Sequence, residues 1–222
     1  QWRTASQQPP SLVAMSAQTI PARYTDLEGP GTIRPGRRLK WWLSSMTPDL
    51  RRKAGRSGNH SKTEALVEWG QDDGRRWLDF LPWSELPREA FEDETEAVQA
   101  WLARPHLDPW RLDADARRTR VPNLDIVGWH DHCNGDLAMH RTITAEGATA
   151  VARKQSRVII GPWSHNGRGR SGFGNIRFGP HARVNLIAEQ VRWFDYWLKG
   201  RNNGVDRDPR VRLFVMGDNR WR

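Results

Sequence analysis

Apolar residues along this chain gather into a few short runs, each closed by polar residues, and the stretches between them carry helical periodicity. Val121–Gly128 and Arg157–Ile160 are nearly continuous in apolar character, as parallel strands covered on both faces are, so both read as buried strands. The first runs on into Trp129-His130-Asp131 and the second into Gly161-Pro-Trp-Ser-His165. Gly135–Ala152 lies between them and reads mostly as a crossover helix. The 34 residues from Asp131 to His165 fit one helix plus one strand, which brings both side chains to the same edge of a parallel sheet. Upstream, Trp2–Gln8 reads as a helical tail and Ser11–Ala17 as a short strand. Downstream, Val184–Leu198 reads as an amphipathic helix with Ile187, Val191, Phe194 and Leu198 on its apolar stripe and Gly200 as its stop. Val211, Leu213 and Val215 alternate as in a strand.

From about Thr19 to Arg120 the pattern changes. Pro, Gly, Trp and charged residues recur, with helical stretches near Arg37–Ser45, Thr63–Gly70 and Thr95–Ala103. A helical insertion between two core strands reads as a cap, and Trp41, Trp42, Trp69, Trp77, Trp83, Trp101 and Trp110 are concentrated in it. Most of these tryptophans are expected to pack the helical layer, with one or two lining a ligand pocket. The chain therefore divides into core (1–18), helical cap (19–120), core carrying Asp131 and His165 (121–200), and a linker leading into β structure (201–222).

Composition narrows the partners. The 222 residues suffice for one core plus a cap, and 37% hydrophobic with 27% charged residues suits a globular protein. Lys and Arg outnumber Asp and Glu 35 to 26, a net charge of +9. The basic residues are scattered among the acids, clustering only at Arg37–Lys40, Arg51–Lys53 and Arg117–Arg120, without a nucleic-acid-binding motif. Specific nucleic-acid binding is not expected, although the positive field could steer anionic ligands. No apolar stretch is long enough to span a membrane and no signal peptide is visible. The single Cys133 cannot form an internal disulfide and leans the expectation toward a reducing, cytoplasmic setting.

The candidate chemistry lies at the two strand ends. A serine hydroxyl needs an imidazole to take its proton, and the imidazolium needs a carboxylate to orient it and stabilise its charge. His165 and Asp131 suit those roles. Each has a structural alternative: an Asp closing a strand is often a turn former or helix cap, and a histidine in a Ser-His-Asn-Gly turn is often inert. Their order and spacing join them. Trp129, Trp163 and His130 flank the pair and are expected to wall the substrate site. Asp136, at a helix start, reads as a cap. His130, Asp131, His132, Cys133 and His140 could together suggest a zinc site, but their spacings match no familiar pattern, so no metal or organic cofactor is expected. No Gly-x-Ser-x-Gly elbow occurs; Gly167-Arg-Gly-Arg-Ser171-Gly lacks the apolar strand and following helix that an elbow requires.

Val121-Pro-x-Leu-x-x-x-Gly-Trp-x-Asp131 followed by Gly161-Pro-Trp-Ser-His165 resembles the CocE/NonD family of serine hydrolases, which includes ester hydrolases, acylases and X-prolyl dipeptidyl-peptidases. Gln1-Trp2 with Pro9-Pro10-x-Leu12, Trp101-Leu-Ala-Arg-Pro105 with Asp108, Trp193–Gly200 and Val211–Gly217 with Trp221-Arg222 agree in the same order. The resemblance implies the C-terminal part of an α/β-hydrolase core with an inserted helical cap, followed by the first strand of a β jelly-roll domain. It also implies Asp131 as acid, His165 as base, and a serine nucleophile and oxyanion hole upstream of Gln1. The chain would then be an interior fragment, inactive alone, of an enzyme that cleaves a small-molecule ester or amide. A tyrosine is usual where His130 stands, which bears on substrate preference. A noncatalytic binding or assembly module with the same fold is the alternative, and a homo-oligomer is a further option for either.

Overall fold

The computed structural model describes residues 1–23, 36–103, 111–131 and 133–222. It forms two compact units, one from Gln1–Leu27 with Pro109–Arg222 and the other from Glu28–Asp108. In chain order, α1 (Trp2–Ser6) belongs to the first unit, and α2 (Gly36–Trp41), α3 (Thr47–Ala54), α4 (Lys62–Gln71), α5 (Arg75–Leu78), α6 (Arg88–Phe91) and α7 (Thr95–Ala103) belong to the second. The first unit resumes with α8 (Asp113–Arg118), β1 (Leu124–His130), α9 (Cys133–Glu146), α10 (Ala150–Gln155) and β2 (Arg157–Ser164). It continues with a short hairpin, β3 (Gly172–Phe173) and β4 (Ile176–Arg177), then α11 (Leu186–Lys199), β5 (Val211–Val215) and β6 (Arg220–Trp221). The fold is mixed α/β with a mostly parallel sheet.

β1 pairs in parallel with β2, and β2 in parallel with β5, while β6 returns antiparallel to β5. On the other side of β1, Met15 and Gln18 make parallel bridges to Asn123 and Ile126, so the Ser11–Ala17 expectation corresponds to a bridging segment that starts four residues later and ends one later. Leu124, Ile126, Ile159 and Trp163 are buried in one cluster with Trp193 of α11. Val127, Val158 and Ile160 form another cluster, joined by Leu137 of α9. Both strands are therefore covered on both faces, which is why the sequence shows continuous apolar runs there.

The structure refines three expectations. First, the insertion is shorter than 19–120. Ala22 and Leu112 are buried with Trp2 and Met139, and Leu112 N–H donates to the Ala22 carbonyl at 3.0 Å, so this burial keeps the flanks with the first unit. Second, Val211–Val215 extends the core sheet by pairing in parallel with Val158–Ile160. Third, most of the predicted apolar stripe of α11 faces outward: Ile187, Val191 and Leu198 are 74%, 54% and 59% exposed, while Phe194 packs against the Trp193 cluster. The buried face is set by Trp193, whose indole N–H donates to the Met15 carbonyl at 3.0 Å, and by Gln190, which donates to the Ser16 hydroxyl at 3.0 Å. Trp193→Ala is accordingly expected to cost about 3–5 kcal/mol, whereas Val191→Gln stays within about 0.5 kcal/mol; urea unfolding of both variants checks the orientation.

The second unit packs its own core from Leu39, Leu43, Leu86, Ala90, Phe91 and Val98, with Trp42, Trp69, Trp77, Trp83 and Trp101 packed around it. Trp41 is largely exposed, and Trp110 lies outside the described residues. The Glu92 carboxylate, almost buried, receives Arg51 at 2.8 Å and Arg56 at 2.7 Å. A cavity of about 900 Å³ opens within this unit, and Trp69 and Trp77 are among its lining residues. Among the described residues, no helix is long and apolar enough to cross a membrane.

Candidate active site

Asp131 stands one residue beyond β1, and His165 one residue beyond β2, so the parallel pairing of the two strands places acid and histidine side by side. The register is not uniform. Gly128 faces Gly161 but His130 faces Ser164, so β2 carries one extra residue near its end. Such a bulge bends its strand and re-aims the residues that follow. The bulge is packed from beneath by Trp163, which is fully buried. Only glycine fits at the two preceding positions: a Cβ on Gly161 would lie 2.3 Å from the Trp163 ring, and one on Gly128 would lie 2.3 Å from the Trp163 carbonyl oxygen.

His165 Nδ1 lies 3.2 Å from each oxygen of the Asp131 carboxylate. That distance is at the long end of the hydrogen-bond range, as is common in catalytic pairs without bound substrate. The Asp131 side chain is 2% exposed and the His165 side chain 59%. The carboxylate is thus an inner anchor, and the imidazole stands toward solvent. A carboxylate that is ionised only accepts hydrogen bonds, and opposite one the ring proton belongs on Nδ1, with Nε2 as the basic nitrogen. This arrangement can take a proton from a hydroxyl presented to Nε2.

The flanking residues behave differently from one another. His130 is exposed and stacks on Phe173 of the hairpin, with ring centroids 4.6 Å apart and planes 12° apart. Trp129 is partly buried and donates its indole N–H to the Phe214 carbonyl at 2.9 Å. Trp163 has no exposed surface and packs in the core cluster with Trp193. Asp136 lies in the first turn of α9 and accepts the Ile20 N–H at 2.8 Å, so its carboxylate holds another segment. Of the five residues suggested as a metal cluster, His130 stacks on Phe173, Asp131 faces His165 and His140 faces Asp125, and the Cys133 side chain lies outside what the structure describes. His132 lies outside the described residues.

One buried polar network was not foreseen. Asp125, inside β1 and fully buried, accepts from Asn123 Nδ2 at 2.5 Å and lies 3.3 Å from His140 Nδ1. Its only sequence signal is an acid inside an apolar strand run. Burial pushes the Asp125 carboxyl above its ordinary range, outweighing the opposing pull of His140 and Asn123. Between the unfolded-chain value and this raised value, the folded protein keeps a proton that the unfolded chain has released. Stability from this group is therefore present at acid pH and lost as pH rises through that window. Asp125→Asn should flatten the decline in unfolding free energy above about pH 4; the same slope in variant and parent would refute this.

No protein-family model matches the chain. Curated relatives do match. Two mycobacterial proteins, provisionally named serine esterases in Mycobacterium bovis and Mycobacterium tuberculosis, are 29% identical over 121 residues, covering 54% of this chain and 17% of theirs. The cocaine esterase of a Rhodococcus species is 35% identical over 106 residues, covering 46% of this chain and 17% of that protein. The similarity is to serine esterases. It supports a serine hydrolase family for this chain, which spans about a sixth of the length of the curated relatives it matches. Among solved structures, an aminopeptidase from a marine sediment Thaumarchaeota archaeon superposes with a TM-score of 0.49 at 15% identity, covering 82% of this chain and 30% of that one, a likeness too slight to argue from.

Proposed function

We propose that Asp131 and His165 are the acid and base of a serine hydrolase of the CocE/NonD type, which cleaves an ester or amide, of acyl or X-prolyl dipeptidyl type, through an acyl-enzyme intermediate. The observation that carries this reading is the 3.2 Å contact between His165 Nδ1 and a buried carboxylate, formed where two neighbouring parallel strands end. Similarity to serine esterases supports it independently.

In this reading, His165 Nε2 accepts the serine proton as the hydroxyl oxygen bonds to the substrate carbonyl. The same proton then passes to the departing alcohol or amine as its bond to the carbonyl carbon breaks. Water repeats the sequence and releases the acid. Asp131 holds the ring and stabilises its positive charge throughout. In this reading the nucleophile and oxyanion donors come from the elbow that the resemblance puts before Gln1. A serine-directed fluorophosphonate tests this: it should react with the extended polypeptide in a manner that depends on His165.

A further inference from the structure

The acid and the base are each followed by a residue that reaches back to one short segment. Five residues beyond Asp131, the Asp136 carboxylate accepts the Ile20 N–H at 2.8 Å. Three residues beyond His165, Arg168 Nη1 donates to the Thr19 hydroxyl oxygen at 3.1 Å. Consecutive residues thus tie down both loops that leave the catalytic edge.

The segment itself is firmly held. Ala17 N–H donates to Asn123 Oδ1 at 2.9 Å, and its carbonyl accepts Ile126 N–H at 3.1 Å, fixing it to β1. Gly135, at the start of α9, lets the chain pass close by: a Cβ there would lie 2.5 Å from Ala22 N and 2.6 Å from the Ile20 carbonyl oxygen. Thr19 is 9% exposed and has φ 53°. A β-branched residue rarely adopts positive φ, and such a conformation persists where its surroundings over-determine it.

We infer that Thr19, Ile20, Asp136 and Arg168 form a positioning bridge that sets the Asp131–His165 geometry. The inference rests on the reading of that pair as acid and base. The bridge acts through the two loops and touches no reacting atom, so its members are positioning residues. Arg168 fixes the turn that carries the imidazole, and Asp136 fixes the helix start that follows the carboxylate.

The tautomer of the His165 ring reads this geometry directly. In the ¹⁵N-histidine-labelled chain at about pH 8, above the usual histidine range, long-range ¹H–¹⁵N spectra should show Nδ1–H as the major tautomer of His165. Thr19→Val removes the hydroxyl with little change of shape, and Arg168→Gln removes the guanidinium. Each should reduce Nδ1–H to the minor form, and the double variant should lose no more than the worse single one, because both break one contact. Asp136→Asn keeps a carbonyl oxygen for Ile20 N–H and should retain the parent tautomer. Amide spectra report whether each variant is folded, and Arg168→Gln decides alone if Thr19→Val does not fold. Asp131→Asn separates the two claims. If it leaves the tautomer unchanged, the pair itself fails and the bridge with it; if it shifts the tautomer while Thr19→Val and Arg168→Gln do not, the bridge alone is overturned.

Discussion

Asp131→Asn, placed in the polypeptide that supplies the serine, should lower kcat for an ester substrate about 10⁴-fold with little change in KM. The carboxylate is 2% exposed and both its oxygens lie 3.2 Å from one ring nitrogen, so its effect is concentrated on that nitrogen. An amide there can turn its NH₂ group toward Nδ1, which favours the tautomer with the proton on Nε2. The nitrogen facing the nucleophile is then already protonated and cannot take the serine proton. Positive charge forming on the ring also loses its counter-charge. Substrate contacts are untouched, hence the small effect on KM. A loss of less than about tenfold in kcat, measured with a p-nitrophenyl ester, would show that Asp131 does not serve His165.

Gly161→Ala should destabilise the first unit by roughly 3 kcal/mol, at the upper end of the usual cost of overpacking a core, with a fall in melting temperature of roughly 6–12 °C. The added methyl would sit 2.3 Å from the Trp163 ring, far inside contact distance. Trp163 has no exposed surface and packs against Trp221, with ring centroids 5.9 Å apart, so it cannot swing outward to make room. Relief must come from shifting β2 itself, which moves Ser164 and His165. Gly128→Ala meets the Trp163 carbonyl oxygen at 2.3 Å and should act in the same direction. Thermal unfolding followed by circular dichroism measures both; a melting temperature within about 2 °C of the parent for Gly161→Ala would contradict this packing.

The strand edge that brings Asp131 beside His165 was largely legible in the sequence because its physics is local. Two apolar runs buried on both faces must be strands, and a helix-sized interval between them makes them parallel neighbours. A polar residue just past each end then lands at one edge. The orientation of α11 was not legible, because the helix is apolar on most of its circumference. Ile187, Val191, Phe194 and Leu198 form one stripe, and Leu186, Trp193 and Trp197 lie on another. What decides between them is the pairing of Trp193 with Met15 and of Gln190 with Ser16, contacts more than 170 residues apart in sequence. The edges of the insertion were hidden similarly. Ala22 and Leu112 sit in stretches rich in Pro, Gly and charge, and only their mutual hydrogen bond and burial beside Trp2 return them to the first unit. The partner of Val211–Val215 was not legible, because alternation identifies a strand without naming the strand it pairs with, here β2. The bulge could have been suspected from the glycines at 128 and 161, each breaking an otherwise bulky strand.

The most direct test of the account is to treat the polypeptide extended upstream of Gln1, with and without His165→Ala, with a fluorophosphonate and to locate the modified residue by mass spectrometry. The account predicts one labelled serine, lying before Gln1, with labelling lost when His165 is alanine and absent from the 222-residue chain alone. Labelling at a serine within residues 1–222, or at an unchanged rate without the imidazole, would contradict it.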